Sequence, residues 1–339
     1  MRISTATGSV VRAPNHLGDL VMSLPALDAA GSTDVLVAQH LIPLVRMLSL
    51  DGQILPLERS RRGFVRAARV LRQARYRRGI LLTPSLSSAL LFAAGGVRER
   101  RGVAVHGRGP LLTDPVPPVR MSGLHRAAVY YALVAGAPPS APPTPTLRVP
   151  DSLSDRWRQV YPPSSSPTIG VFPGSNASSR RWDADRYASL VRYLCDDGAR
   201  VVVFGGPQER ELTARVAGGA AFDAGGRTDL PLLAAALAAC DLLVTNDSGP
   251  MHLATAVGTP TISLWGAGDP VVTGPLGERH QLVRHPELPC VPCVKNRCPR
   301  SGRGYVLAHA ERECMGLITV NEVRAAVRSA DRGRACREI

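Results

Sequence analysis

The stretch Thr245–Pro260, TNDSGPMHLATAVGTP, constrains this chain more than any other. It extends the apolar run Leu242–Val244, so a buried strand ends at Asn246. A helix then starts, with Asp247 or Ser248 at its N-cap and Pro250 in its first turn, where a missing N–H is tolerated. A second apolar run, Thr261–Trp265, follows. The result is a strand–loop–helix–strand unit. Ser248 and Gly249 sit at the helix start, where free backbone N–H groups and the macrodipole favour an anion. His252, in the same turn, adds a donor or a positive charge. The unit is built to hold a phosphate. It lacks the G-x-G-x-x-G of the dinucleotide fingerprint and the G-K-[ST] of the P-loop.

The rest of the chain alternates in the same way. Ser9–Val11, Asp34–Ala38 and Gly79–Thr83 read as strands, with helices starting near Asp19 and over Ser87–Ala94. Thr168–Phe172 and Arg200–Phe204 read as strands, with helices over Asp185–Cys195, Gln208–Val216 and Leu230–Cys240. Alternation of this kind specifies α/β units with parallel sheets. The segment from Ala137 to Pro167 is too rich in proline for a sheet or helix interior and reads as a linker around a short polar helix. A chain of 339 residues is long enough for two domains. The expected division is 1–150, an acceptor-binding α/β domain; 151–320, a nucleotide-sugar-binding α/β domain; and 321–339, a helix reaching back to the first domain. A ligand cleft is expected between the carboxyl ends of the two sheets. No internal sequence repeat is visible.

The formal charge is +14, and Lys295 is the only lysine. Such a balance favours acidic partners: nucleotide phosphates, a phosphorylated glycolipid or an anionic membrane face. Aromatic residues, at 4%, are too sparse for stacking platforms, which argues against nucleic acid. No apolar run approaches the length of a membrane-spanning helix. The opening MRISTATGSVVRAPN lacks the apolar core of a signal peptide, so a cytoplasmic location is expected.

Three further motifs carry chemistry. In Arg12–Leu27, RAPNHLGDLVMSLPAL, Asp19 falls at the rim of the first sheet, where a carboxylate could take a proton from a hydroxyl. The plain alternative is a helix cap. In Val171–Trp182, VFPGSNASSRRW, Ser175 and Asn176 can donate to phosphate oxygens and Arg180 supplies a charged fork. A solvated turn is the alternative. In Val201–Glu211, VVVFGGPQERE, Glu209 could accept from ribose hydroxyls or simply complement the helix dipole.

In this order and spacing, PNHLGDLVMSLPAL, PGSNASSRRW, FGGPQERE, NDSGPMHLATAVGTP and GAGDPVVTGPLG resemble glycosyltransferase family 9, the ADP-heptose:lipopolysaccharide heptosyltransferases, over roughly residues 10–325. The PN-x-LGD form is most similar to the members that add the second heptose. The resemblance implies a GT-B fold, two Rossmann-like domains facing a cleft. It also implies inverting transfer that needs no metal or other cofactor. It puts the catalytic base at Asp19. The donor site falls on Ser175, Asn176, Arg180 and Glu209, and on Asp247, Ser248, Gly249 and His252. Two departures stand out: arginine at position 180, where lysine is common, and His16, where tryptophan is common. Implied partners are a nucleotide-sugar donor, ADP-heptose first, and a glycolipid or small glycan acceptor. A monomer is expected.

Nine arginines lie between Arg59 and Arg78, several at helical steps on one face. They read either as a solvated helix face or as an acceptor-side patch for glycolipid phosphates at the inner membrane surface. Arg12, His16, Arg62, Arg66 and Arg69 are the acceptor-side candidates. Cys290, Cys293, Cys298 and Cys314 form C-x2-C-x4-C-x15-C, a set of thiols that could hold a structural zinc or an iron–sulfur cluster, or remain reduced or pair as a disulfide. No adjoining His or carboxylate group offers an open catalytic metal site. Three alternatives compete with glycan transfer. One is the same chemistry on a small natural product. Another is a sugar-nucleotide epimerase, which would need a further acid–base carboxylate. The last is a basic nucleic-acid-binding module.

Overall fold

The computed structural model describes residues 8–299 and 313–335. The chain folds into two compact units, Met1–Arg148 and Val149–Ile339.

The first unit is built on six strands: β1 (Ser9–Arg12), β2 (Asp34–Ala38), β3 (Ile54–Leu57), β4 (Arg78–Leu81), β5 (Glu99–Val103) and β6 (Asp114–Val116). Their order is β3-β2-β1-β4-β5-β6 and every ladder is parallel. β2, DVLVA, is buried along its whole length, as a strand covered on both faces must be. The helix expected near Asp19 is two short helices, Leu17–Met22 and Leu24–Ala29. Pro25 has no N–H to give the preceding turn, and the chain re-starts at Ser23. Helix Arg61–Ala74 begins at Ser60, whose Oγ accepts from the Gly63 amide at 2.9 Å, and ends at Arg75 in the left-handed region (φ 53°). Its buried stripe is Gly63, Ala67, Leu71 and Ala74. That stripe joins a core with Leu91 and Phe92 of helix Leu86–Ala94.

The second unit repeats the plan with β7 (Thr168–Phe172), β8 (Arg200–Val203), β9 (Phe222–Asp223), β10 (Leu242–Asn246), β11 (Thr261–Trp265) and β12 (His280–Arg284). The order β12-β11-β10-β7-β8-β9 is the doubly wound order of the first unit traced again, all parallel. β10 and β11 are wholly buried. Between them helix Gly249–Ala256 buries seven residues, from Pro250 to Ala256.

Helix Asp151–Val160 packs in the second unit: its buried Trp157 lies 6.0 Å from the rings of both Tyr161 and Phe204. One expectation changes here. Helix Val320–Ala335, expected to reach back to the first domain, packs within the second unit instead. Val323 and Val327 sit in one core with Leu242, Val244, Ile262 and Leu264. The apolar i, i+4 pair finds its cover on the nearest sheet of the same unit.

Candidate functional site

In a doubly wound sheet the carboxyl ends of the strands gather the loops that bind ligands. In the second unit the end of β10 organises that edge. Asn246 Oδ1 accepts from the Trp182 amide at 3.0 Å and from the Tyr187 hydroxyl at 3.1 Å. Its Nδ2 donates to Pro173 O at 2.7 Å. One buried amide side chain thus pins both ends of the 173–182 loop beside the start of helix Gly249–Ala256.

Arg180 then lies at the mouth of that helix. Its Nη1 is 2.9 Å from Asp247 Oδ2, an ion pair with Asp247 only 2% exposed. Burial pushes the Asp247 carboxyl up to about 6, and the guanidinium opposes that rise. Arg180 Nε is buried without a hydrogen-bond partner among the described residues. Ser248 occupies the N-cap in an extended conformation (φ −155°, ψ 170°), and its hydroxyl makes no capping bond. In the first turn Pro250 has no N–H and the Met251 amide donates to Ser248 O at 3.2 Å, so the Gly249 amide is the one left without an intrahelical acceptor. His252 is buried in this first turn. Ser248 and Gly249 are half-buried and Asn176 is exposed. Ser175 is buried, its Oγ accepting from the Ala177 amide at 3.3 Å.

Glu209 realises its plainer alternative, and more. Its Oε2 accepts from the Gly206 amide at 2.8 Å, a clip across the turn after β8. Its other oxygen presses on Gly174: a Cβ there would lie 1.9 Å from Oε1. Gly268 stands in the same relation to Asp247, where a Cβ would meet Oδ2 at 2.0 Å. Two glycines on neighbouring loops therefore make room for two carboxylates. The motifs alone do not single out Asn246 or these glycines, although the P-G-S and G-A-G triplets after buried strands are a usable signal.

In the first unit Asp19 is half-buried in the first turn of helix Leu17–Met22. The Tyr130 hydroxyl donates to its Oδ1 at 2.8 Å. Tyr130 is buried on helix Arg126–Ala135, and burial, reinforced by the Asp19 charge, raises its phenol well above the usual value. The cap position itself belongs to His16, so Asp19 is not the helix cap. One end of its carboxylate is oriented by a hydroxyl while the side chain stays accessible.

The acceptor-side candidates divide. His16 is exposed at the N-cap of that helix. Arg62, Arg66 and Arg69 are exposed on helix Arg61–Ala74, with Arg66 paired to Glu58 at 2.6 Å. Arg12 departs from expectation. It is buried, with its pKa pushed down to about 10 by burial. Its guanidinium holds Ala13 O at 2.5 Å, Leu36 O at 3.2 Å and the Asn15 side chain, so it shapes the 13–15 turn from within.

Cys290, Cys293, Cys298 and Cys314 are half-buried thiols outside any disulfide. Burial pushes Cys314 up to about 11, and the other three add to the rise. Yet no group of three or more His, Cys, Asp or Glu among the described residues is gathered to hold a metal. The loop of these thiols has another attachment: Val294 N donates to Ala267 O at 2.8 Å, and Ser179 N to Asn296 O at 3.3 Å.

The model of one protein family, Glycosyltransferase family 9 (heptosyltransferase), matches residues 64–302. Lipopolysaccharide heptosyltransferase 2 of Escherichia coli K12 is 28% identical over 308 residues, spanning 81% of this chain and 87% of that one. The Salmonella typhimurium LT2 protein of the same name is 27% identical over 310 residues, with the same two shares of 81% and 87%. The solved structure of E. coli ADP-heptose lps heptosyltransferase II superposes with a TM-score of 0.79 at 24% identity, covering 95% of this chain and 98% of that one. That likeness bears out the expected fold class, a GT-B chain of two Rossmann-like α/β units.

Proposed function

The chain belongs to glycosyltransferase family 9, the heptosyltransferase family, and on that premise we propose that it moves a heptose from ADP-heptose to a hydroxyl of a lipopolysaccharide inner-core acceptor. It is a glycosyltransferase. The named relatives, which act on lipopolysaccharide, support that acceptor class. The transfer is a single displacement with inversion. The acceptor oxygen loses its proton to Asp19 and attacks the anomeric carbon as the bond to the diphosphate oxygen breaks. ADP leaves with the bonding pair. Asp19 belongs to the first unit and Arg180, Ser248 and Gly249 to the second.

The leaving diphosphate requires countercharge. Arg180 and the amides at Ser248 and Gly249 are suited to supply it as preorganised donors, with His252 behind them. Ser175 and Asn176 shape the same loop. Glu209, already clipped to Gly206, keeps lone pairs for a ribose hydroxyl. In this reading the enzyme works on the cytoplasmic face of the inner membrane, where a lipid-linked acceptor is reached.

The observation that carries the proposal is the buried Arg180–Asp247 pair at the open start of helix Gly249–Ala256. The test is a thermal-shift series with ADP, UDP, GDP and their sugars, followed by mass spectrometry of the acceptor. A ligand present at a hundred times its Kd stabilises by about 2.7 kcal/mol. ADP should raise the melting temperature above the other two nucleotides, and ADP-heptose should add one heptose to the acceptor. A larger shift with UDP or GDP would overturn the donor assignment.

A further inference from the structure

We propose that the outer surface made by helices Arg61–Ala74 and Leu86–Ala94 docks on an anionic phospholipid bilayer. The β3-to-β4 and β4-to-β5 crossovers run in the same direction across the sheet, so right-handed connection puts both helices on one face. They lie side by side and parallel. Arg72 Nη2 donates to Ala94 O at 2.9 Å near their C-terminal ends, and the Leu71 side chain lies against Gly95.

The outward crest of the first helix carries Arg62, Arg66, Arg69 and Arg72 at steps of three and four residues, all exposed. Val65, 47% exposed, sits among them. The outward crest of the second helix is apolar: Leu86 and Leu90, one turn apart, are 49% and 48% exposed. Single exposed aliphatics are ordinary, but three flanking a row of guanidinium groups form an amphipathic surface. Two carboxylates counter the arginines of this stretch, Glu58 on Arg66 and Glu99 on Arg77, so positive charge dominates. Charge complementarity selects an anionic partner. The leucines select one with an apolar layer beneath its charged surface. An anionic bilayer has both. The N-terminal ends of both helices lie at the carboxyl edge of the sheet, the edge that also carries Asp19. The transfer reading gives this surface its purpose, but docking itself does not depend on it.

The experiment is co-sedimentation of the full chain with phosphatidylglycerol-containing vesicles and with pure phosphatidylcholine vesicles. Binding should favour the anionic vesicles and fall as salt rises. Arg62→Ala with Arg69→Ala should weaken it about thirtyfold. Leu86→Ser with Leu90→Ser should weaken it at every salt concentration; if that pair does not fold, Leu90→Gln alone gives the same readout. Equal binding to both vesicle types would overturn the proposal. So would leucine variants that bind normally while duplex DNA displaces the vesicles, which would assign the arginines to nucleic acid. The ADP-induced thermal shift is followed in parallel. Its loss in the unaltered chain sinks the transfer reading and leaves the vesicle result standing.

Discussion

Arg180 and Asp247 meet at 2.9 Å although the carboxylate is buried, so one guanidinium neutralises an internal charge beside the start of helix Gly249–Ala256. The pair makes the fold sensitive to pH in a definite direction. The folded-state pKa of Asp247 is raised to about 6, above its unfolded value. The folded protein therefore holds the proton more tightly, and stability falls as pH rises from about 4 to about 6, then levels off. A shift of this size corresponds to roughly 3 kcal/mol, partly offset elsewhere. Urea midpoints measured from pH 4.5 to 8 should show that decline, and Asp247→Asn should flatten it. A parallel decline in the variant would assign it to other groups.

Asp19 and Tyr130 are coupled through a 2.8 Å hydrogen bond. Asp19→Asn should keep ADP affinity and lower kcat by about a hundredfold to ten-thousandfold, the range of a general base. Tyr130→Phe should lower kcat about tenfold with the donor KM unchanged, because the carboxylate loses its fixed orientation. In the double variant the tyrosine change should add nothing further. Additive losses would show that Tyr130 acts independently of Asp19.

Gly174 has no room for a methyl group, because Glu209 Oε1 would lie 1.9 Å from it. Gly174→Ala must push the carboxylate away and break its bond to the Gly206 amide. ADP affinity should fall at least about tenfold, with a loss of about 1–2 kcal/mol in stability for the freed amide. Calorimetric titration that finds ADP bound as tightly as before would remove Glu209 from the donor site.

Arg180→Ala should weaken ADP binding by the roughly 1.5–3 kcal/mol of a charge-assisted contact and also lower stability, because it leaves the Asp247 carboxylate buried without its partner; titration well below the lowered melting temperature separates the two effects. On the proposed mechanism, in which protein groups neutralise the leaving diphosphate, EDTA should leave turnover unchanged. Turnover that stops with EDTA and returns with a divalent cation, the fold staying intact by circular dichroism, would overturn that account.

The buried centres of both sheets are legible in the chain. β2, β7, β10 and β11 are apolar runs bounded by turn residues, and each stands where its pattern put it. The outer strands are not legible, for identifiable reasons. β3 and β6 contain Pro56 and Pro115, which edge or near-edge positions tolerate. β5, ERRGV, looks like a solvated stretch, but its arginines are cross-links. Arg100 Nε donates to Leu111 O at 2.7 Å, and Arg101 Nε donates to Leu133 O at 2.9 Å. The candidate site divides in the same way. Its motif residues are contiguous and readable. Tyr130 reaches Asp19 from 111 positions away, and no local pattern announces such a contact.

The two sheets share a strand order without sharing sequence, and each closes its own core on its own side of Arg148 and Val149. That independence makes the chain modular in descent. On the proposed division, with the acceptor held by the first half, the two cores can vary separately, so new recipients can be explored while the payload stays the same. A hybrid joined at that seam, with its first half taken from a relative, should inherit the relative's choice of recipient.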